Sequence, residues 1–384
     1  MSNKRLHLLL PPKERFEAAG AGALALIVLE SSQASRWKDG ITVFGSPVAQ
    51  PFPGVRFRAL ALPKWSLRGR NVAMARLYAQ AANRERSDLV EIYNRPIMVK
   101  ELHKRLAGAL IVLHLANDPR NMDGSRSVKE RRELLSRCVA VVCVSEFIRG
   151  CFLEGVDDAL GRRAHVAHLG VETPEELPAV KENRIIFVGR IVADKGVLEL
   201  VQALVRVLPR HPGWSAEILG ARWFGNSNRP GEYEKAVARS AAGCARIALG
   251  GFKPHEQITA ALKRASIAVV PSRWDDPFPR SALEALAHGC ALVCSTRGGL
   301  SEIGAHRALF LDTITADSLA GALEHLIANE AERRALQRRG RDDFPFEIGR
   351  TTRRLDHLRG ELMEARDSSS GCLASGTERT TTRS

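Results

Sequence analysis

Aromatic residues are scarce in this chain of 384 residues: three Tyr, five Trp and thirteen Phe make up 5% of it. There is no zinc-finger spacing and no interleaving of basic with aromatic residues. Together these absences exclude the usual platforms for holding nucleic acid, so no nucleic-acid partner is expected. No apolar run reaches the roughly 18 residues that a membrane-spanning helix needs. The longest, residues 21–29, falls far short. Leu8-Leu9-Leu10-Pro11 is shorter than a signal-peptide core and no small-residue cleavage pattern follows it, which points to a cytoplasmic protein. Cysteine pairs are missing too. None of Cys138, Cys143, Cys151, Cys244, Cys290, Cys294 and Cys372 forms a C-x-x-C. Reduced, mostly buried thiols and no metal site are the reading that fits.

What is present is a basic, core-forming composition. Hydrophobic residues make up 45% and the net charge is +14. Basic runs such as 129–132 and 333–341 read individually as solvated helix faces. The excess over the whole chain points instead to a phosphate-rich partner or an anionic membrane surface.

Short apolar runs alternate with helical periodicity in two series. The first series of strands is read at 6–10, 41–44, 55–59, 88–93, 109–115 and 139–144. Between them lie helices at 22–29, 71–83, 97–106 and 127–137, the last opened by a Ser127/Glu130 capping box. Residues 172–183, rich in Pro and Glu, read as a linker. A second series follows, with strands at 185–188, 214–219, 247–249, 267–270, 291–294 and 308–311. Such alternation implies α/β architecture, two doubly wound parallel sheets facing a cleft. The expected domains are 1–171 and 184–345, a helix at 346–366 returning to the first domain, and a disordered tail at 367–384, rich in Ser, Thr and Gly.

The second half concentrates groups suited to a sugar diphosphate. Breaking a glycosidic bond to a diphosphate builds negative charge on the leaving group, which needs cations already in place, while sugar hydroxyls need fixed acceptors. Gly189-Arg190 ends a strand, and Lys195-Gly196 opens a helix. Further on, Asp276 lies in a loop and Glu284 in the first turns of a helix, with seven residues between them. Gly298-Gly299, ahead of Glu302, precede another helix start, where amides can approach phosphate closely. Ordinary surface charge beside glycine turns would explain any one of these features; their ordered combination is what points to a site.

With these residues the chain resembles the retaining GT-B glycosyltransferases of family 4, most densely over 185–302. The resemblance implies that Arg190 and Lys195 hold the donor diphosphate, that Asp276 faces the donor sugar and that Glu284 faces the ribose. It also assigns Gly22, Phe252, Gly298, Gly299 and Leu300 to the donor site, and His114, Asp276 and Glu284 to catalysis. His114 has a second reading as a hydrogen-bonded structural histidine. Asp118, just before a Pro, reads as a turn device. Two departures stand out: Asp276 replaces the usual Glu, shortening its reach by one methylene, and Pro279 replaces the usual Gly, removing an amide donor.

By resemblance, the function is transfer of a hexose from a nucleotide sugar, a UDP-sugar, to a saccharide or lipid-linked saccharide in cell-surface polysaccharide or lipopolysaccharide synthesis. Neither cofactor nor metal is implied, and an anionic inner-membrane surface is an expected partner. The rivals are an inactive sugar-nucleotide binder, a nucleotide-sugar epimerase, and a dehydrogenase suggested by Gly20-Ala21-Gly22. The last is disfavoured because nine residues separate Leu10 from Gly20 and no acid closes the following strand.

Overall fold

A computed structural model describes residues 4–18, 20–63, 65–222 and 230–374, without the side chains of 158 and 367–374. Seven strands form the first sheet: β1 (Leu6–Leu9), β2 (Ile41–Gly45), β3 (Arg56–Ala59), β4 (Leu89–Tyr93), β5 (Ile111–Leu115), β6 (Ala140–Cys143) and β7 (Ala164–Val166). Six form the second: β8 (Glu182–Val188), β9 (Ser215–Leu219), β10 (Ile247–Gly251), β11 (Ala265–Val270), β12 (Ala291–Ser295) and β13 (Ala308–Leu311).

The orders are β3-β2-β1-β4-β5-β6-β7 and β10-β9-β8-β11-β12-β13, with every pairing parallel. Central strands such as β5 and β12 are buried at every position because helices cover both faces of the sheets. In each sheet the order reverses once, between β1 and β4 and between β8 and β11. Connections leave such a point in opposite directions, opening a crevice beyond the carboxyl ends of the two strands.

Both sheets present these ends to each other. Ser145 Oγ, just past β6, donates to the Pro277 carbonyl beyond β11 at 2.8 Å. Glu302 accepts from the Glu146 and Phe147 amides, each at 2.9 Å, and from His168 Nε2 at 3.0 Å. Glu302 thus caps the helix Glu146–Leu153 of the other half, rather than joining the site whose motif it completes in sequence.

The helix Ile348–Ala374 returns to the first sheet. Its fully buried Arg359 donates through Nε and Nη2 to both carboxylate oxygens of Glu91 on β4, at 2.7 Å each. Asp356 accepts from Ser35 Oγ at 2.9 Å and from the Arg36 amide at 2.8 Å. The helix continues through 367–374, which correct the expected disordered tail: no proline stops it, and adding one residue to an existing helix needs no new nucleus. Residues 375–384 lie outside the described residues. Six cysteines are free and buried, as expected.

Candidate active site

Lys195 and Asp276 meet at the point where the second sheet reverses. Lys195 lies in the 3-10 turn Ala193–Lys195 that follows β8, and Asp276 lies in the loop that follows β11. The two loops are joined along their backbones, since the Arg273 amide donates to the Asp194 carbonyl at 2.8 Å. Gly196 makes the close approach possible. It adopts φ +65, and a side chain there would collide with the Pro271 carbonyl.

Lys195 Nζ and Asp276 Oδ2 form an ion pair in which the side chains retain only 16% and 7% of their exposure. Ser272 Oγ donates to the same Oδ2 at 3.1 Å, while Oδ1 accepts no hydrogen bond among the described residues. Lys195 Nζ also stands 5.5 Å from the centroid of the Trp274 ring. Arg190, half-buried on the same loop as Lys195, makes no side-chain hydrogen bond or ion pair among the described residues.

Glu284 makes no hydrogen bond or ion pair with Lys195 or Asp276. It is 5% exposed, and its Oε1 accepts from His255 Nε2 at 2.8 Å and from Arg280 Nε at 2.6 Å. Burial pushes the Glu284 carboxyl up, but His255 and Arg280 outweigh burial and hold it below the ordinary range. His255 is raised by its hydrogen bond to Glu284, against burial. Arg280 continues the chain into the first half, donating through Nη1 and Nη2 to Glu30 at 2.8 and 2.6 Å. Among the described residues Glu284 Oε2 has no partner, leaving one carboxylate oxygen for another donor.

Several assigned residues are placed elsewhere. Gly298 and Gly299 press against the 275–278 loop, and the Gly299 amide donates to the Asp276 carbonyl at 2.8 Å, so it is not free for phosphate. Leu300 is fully buried and packs in the core, its amide donating to the Arg297 carbonyl at 3.2 Å. Phe252 follows β10, two strands away from β8.

Gly22 caps the helix Ala23–Ala34, where a side chain would collide with Glu14 Oε1. That carboxylate accepts from the Ala25 amide at 3.0 Å, so an acid of the chain itself occupies the amides at the helix start. His114, 8% exposed, stacks on Tyr93 at 4.4 Å and 6°, with Nε2 3.3 Å from Glu91 Oε2 but outside hydrogen-bond geometry. It lines a small apolar cavity with Leu24, Ile27 and His168, and makes no hydrogen bond or ion pair with Lys195, Asp276 or Glu284.

Four partners of the site were not read from the sequence: Ser272, Trp274, His255 and Arg280. Arg280 was legible in principle, because it sits one helical turn before Glu284.

Residues 172–343 match the family model described as glycosyl transferases group 1. The second half of the chain is thus similar to a group 1 glycosyl transferase domain. The switch-point pair and Glu284 all fall inside the matched segment. The Bacillus subtilis protein YtcC is 26% identical over 239 residues, 57% of this chain and 58% of that one. The chain thus spans little more than half the length of that relative. The lipopolysaccharide 1,2-N-acetylglucosaminetransferase of Salmonella typhimurium is 24% identical over 271 residues, 65% of this chain and 68% of that one. Anabaena HepE, solved with UDP and glucose, superposes with a TM-score of 0.71 at 16% identity, over 92% of this chain and 99% of that one. The architecture of the chain is GT-B, two Rossmann-like domains.

Proposed function

We propose that the transferase moves a hexose from a UDP-sugar, with retention at the anomeric carbon, to a saccharide or lipid-linked saccharide of a cell-surface polysaccharide or lipopolysaccharide. The observation that carries this reading is the Lys195–Asp276 pair at the reversal of the second sheet, with Arg190 on the same loop as Lys195 and unpaired among the described residues. An ammonium has three donors, so Lys195 can keep Asp276 and still meet a diphosphate oxygen. Arg190 supplies a second, planar cation for the same group. Asp276 Oδ1 can accept a sugar hydroxyl, and Glu284 Oε2 a ribose hydroxyl. As the bond to the sugar breaks, charge gathers on the diphosphate between cations that need no rearrangement. These cations fill the role of a metal.

Support for the donor comes from HepE, solved with UDP, and support for the acceptor class from the Salmonella enzyme. Attachment to an anionic inner-membrane surface belongs to the same reading. Its supports are the charge of +14 and the loop carrying Trp65 and Leu67, which are 91% and 108% exposed.

A thermal-shift screen against UDP-, GDP- and ADP-sugars tests the assignment, since a ligand that binds only the folded state must raise its stability. UDP-sugars should raise the melting temperature of the wild type and leave Lys195→Ala and Glu284→Ala unmoved. Equal shifts in both variants, with turnover intact, would remove the site assignment.

A further inference from the structure

Glu30 is the one charged residue in the helix Ala23–Ala34, and its partner lies in the other half of the chain. Its side chain keeps 10% of its exposure. Arg280 grips it end-on, Nη1 donating to Oε2 at 2.8 Å and Nη2 to Oε1 at 2.6 Å.

Neither local structure nor stability accounts for Arg280. It is the first residue of the helix Arg280–Ala287, where the helix dipole disfavours a cation. Its side chain is as buried as that of Glu30, and for an ion pair taken so far out of water the desolvation cost offsets much of the attraction. Burial acts against the Arg280 charge, and Glu284 and Glu30 more than restore it.

The division of its donors does account for it. A guanidinium can hold a carboxylate end-on through its two Nη atoms or side-on through Nε and one Nη. Glu30 takes the end-on pair, so Glu284 receives Nε alone, on Oε1 at 2.6 Å. His255 Nε2 donates to that same Oε1 at 2.8 Å. Both donors thus converge on one oxygen, and Oε2 has no partner among the described residues. Without Glu30, the buried fork would lose its acceptors, and Glu284 would be the acid left to neutralise it. A side-on grip on Glu284 would then occupy Oε2.

We propose that Glu30 is a positioning residue for the donor: by holding the fork of Arg280, it keeps Glu284 Oε2 open for a ribose hydroxyl. The first half of the chain thereby takes part in binding a nucleotide whose other contacts lie in the second. Donor affinity then depends on the two halves being together, because Arg280 closes on Glu284 when they part. The inference rests on the reading of Glu284 as the ribose acceptor.

Isothermal titration calorimetry on the full chain tests it, with UDP and its dideoxyribose analogue, which lacks both ribose hydroxyls, as probes. The wild type should bind UDP about tenfold or more tightly than the analogue, the scale of a lost hydrogen bond to a charged group. Glu30→Gln, which removes the charge and one acceptor, should bring UDP binding down to near the level of the analogue. It should leave the affinity for the analogue unchanged, a pattern that general loosening of the fold does not give. Glu30→Gln/Arg280→Lys should recover UDP binding, because an ammonium lacks the rigid fork for a side-on grip. Glu30→Asp keeps the charge and shortens the reach, so it should act in the same direction to a smaller degree. It carries the test with the same two probes should Glu30→Gln not fold. The inference is overturned if Glu30→Gln keeps the wild-type preference for UDP, if both probes weaken together, or if the double variant binds UDP no better than Glu30→Gln. No UDP binding by the wild type, or equal affinity for the two probes, would remove the donor reading of Glu284 and the inference with it.

Discussion

At the residue scale, one carboxylate does two jobs. Glu284 Oε1 is committed to His255 and Arg280, and only Oε2 is left for a ligand. The His255 pair has a definite pH signature. Its folded pKa is raised above the ordinary value near 6.5, so the stabilisation is fully present below about pH 6.5 and is lost as pH rises through the folded pKa. His255 is partly exposed, with 37% of its side chain accessible, so solvent screening keeps the effect small. The difference in melting temperature between wild type and His255→Gln is expected to be largest near pH 6 and to shrink by pH 8.5. A constant difference across that range would show that the imidazolium contributes nothing.

At the scale of elements, the two loops after β8 and β11 hold the site together through glycines. Gly298 adopts φ +58, and a side chain there would meet the Asp276 backbone. Gly298→Ala is expected to destabilise the fold by more than about 1 kcal/mol, through both strain and collision. Chemical denaturation would measure the loss, and donor affinity should fall with it because Asp276 moves.

Most elements were legible because buried parallel strands read as short apolar runs. β1, β5, β11 and β12 fall where the pattern places them. β7 was missed because Ala164–Val166 is only three residues long. The helix Ala23–Ala34 outruns its apolar stretch because Ser31 returns its hydroxyl to the Ile27 carbonyl at 2.7 Å, hiding a polar residue on a buried face. The loop positions of Lys195 and Asp276 followed from strand order. The ties from Glu284 to Glu30 and from Glu302 to the helix Glu146–Leu153 did not, because each joins residues far apart in sequence. The contacts of Gly299 and Leu300 were hidden for a related reason, since sequence shows a helix start but not which amides and side chains the neighbouring loop has already taken.

At the scale of the molecule, the halves are joined across the cleft by Arg280–Glu30, Ser145–Pro277 and Glu302, and from behind by Arg359–Glu91. The first half adds an exposed apolar loop at Trp65 and Leu67 to an overall positive charge. No helix among the described residues is long and apolar enough to cross a membrane. Each basic residue near an anionic surface adds about 1 kcal/mol. Cosedimentation should therefore show retention on anionic vesicles at low salt and little on neutral ones, weakened several-fold by Trp65→Ser/Leu67→Ser. Equal partitioning onto both vesicle types would remove the membrane from the account.

The central claim concerns where the donor sits relative to the Lys195–Asp276 pair. A crystal structure of the transferase with an intact UDP-sugar reads that position directly. The diphosphate is expected against Arg190 and Lys195, the sugar beside Asp276, and the ribose within hydrogen-bond reach of Glu284 Oε2. A donor bound elsewhere, with Lys195 and Asp276 still facing only each other, would contradict it.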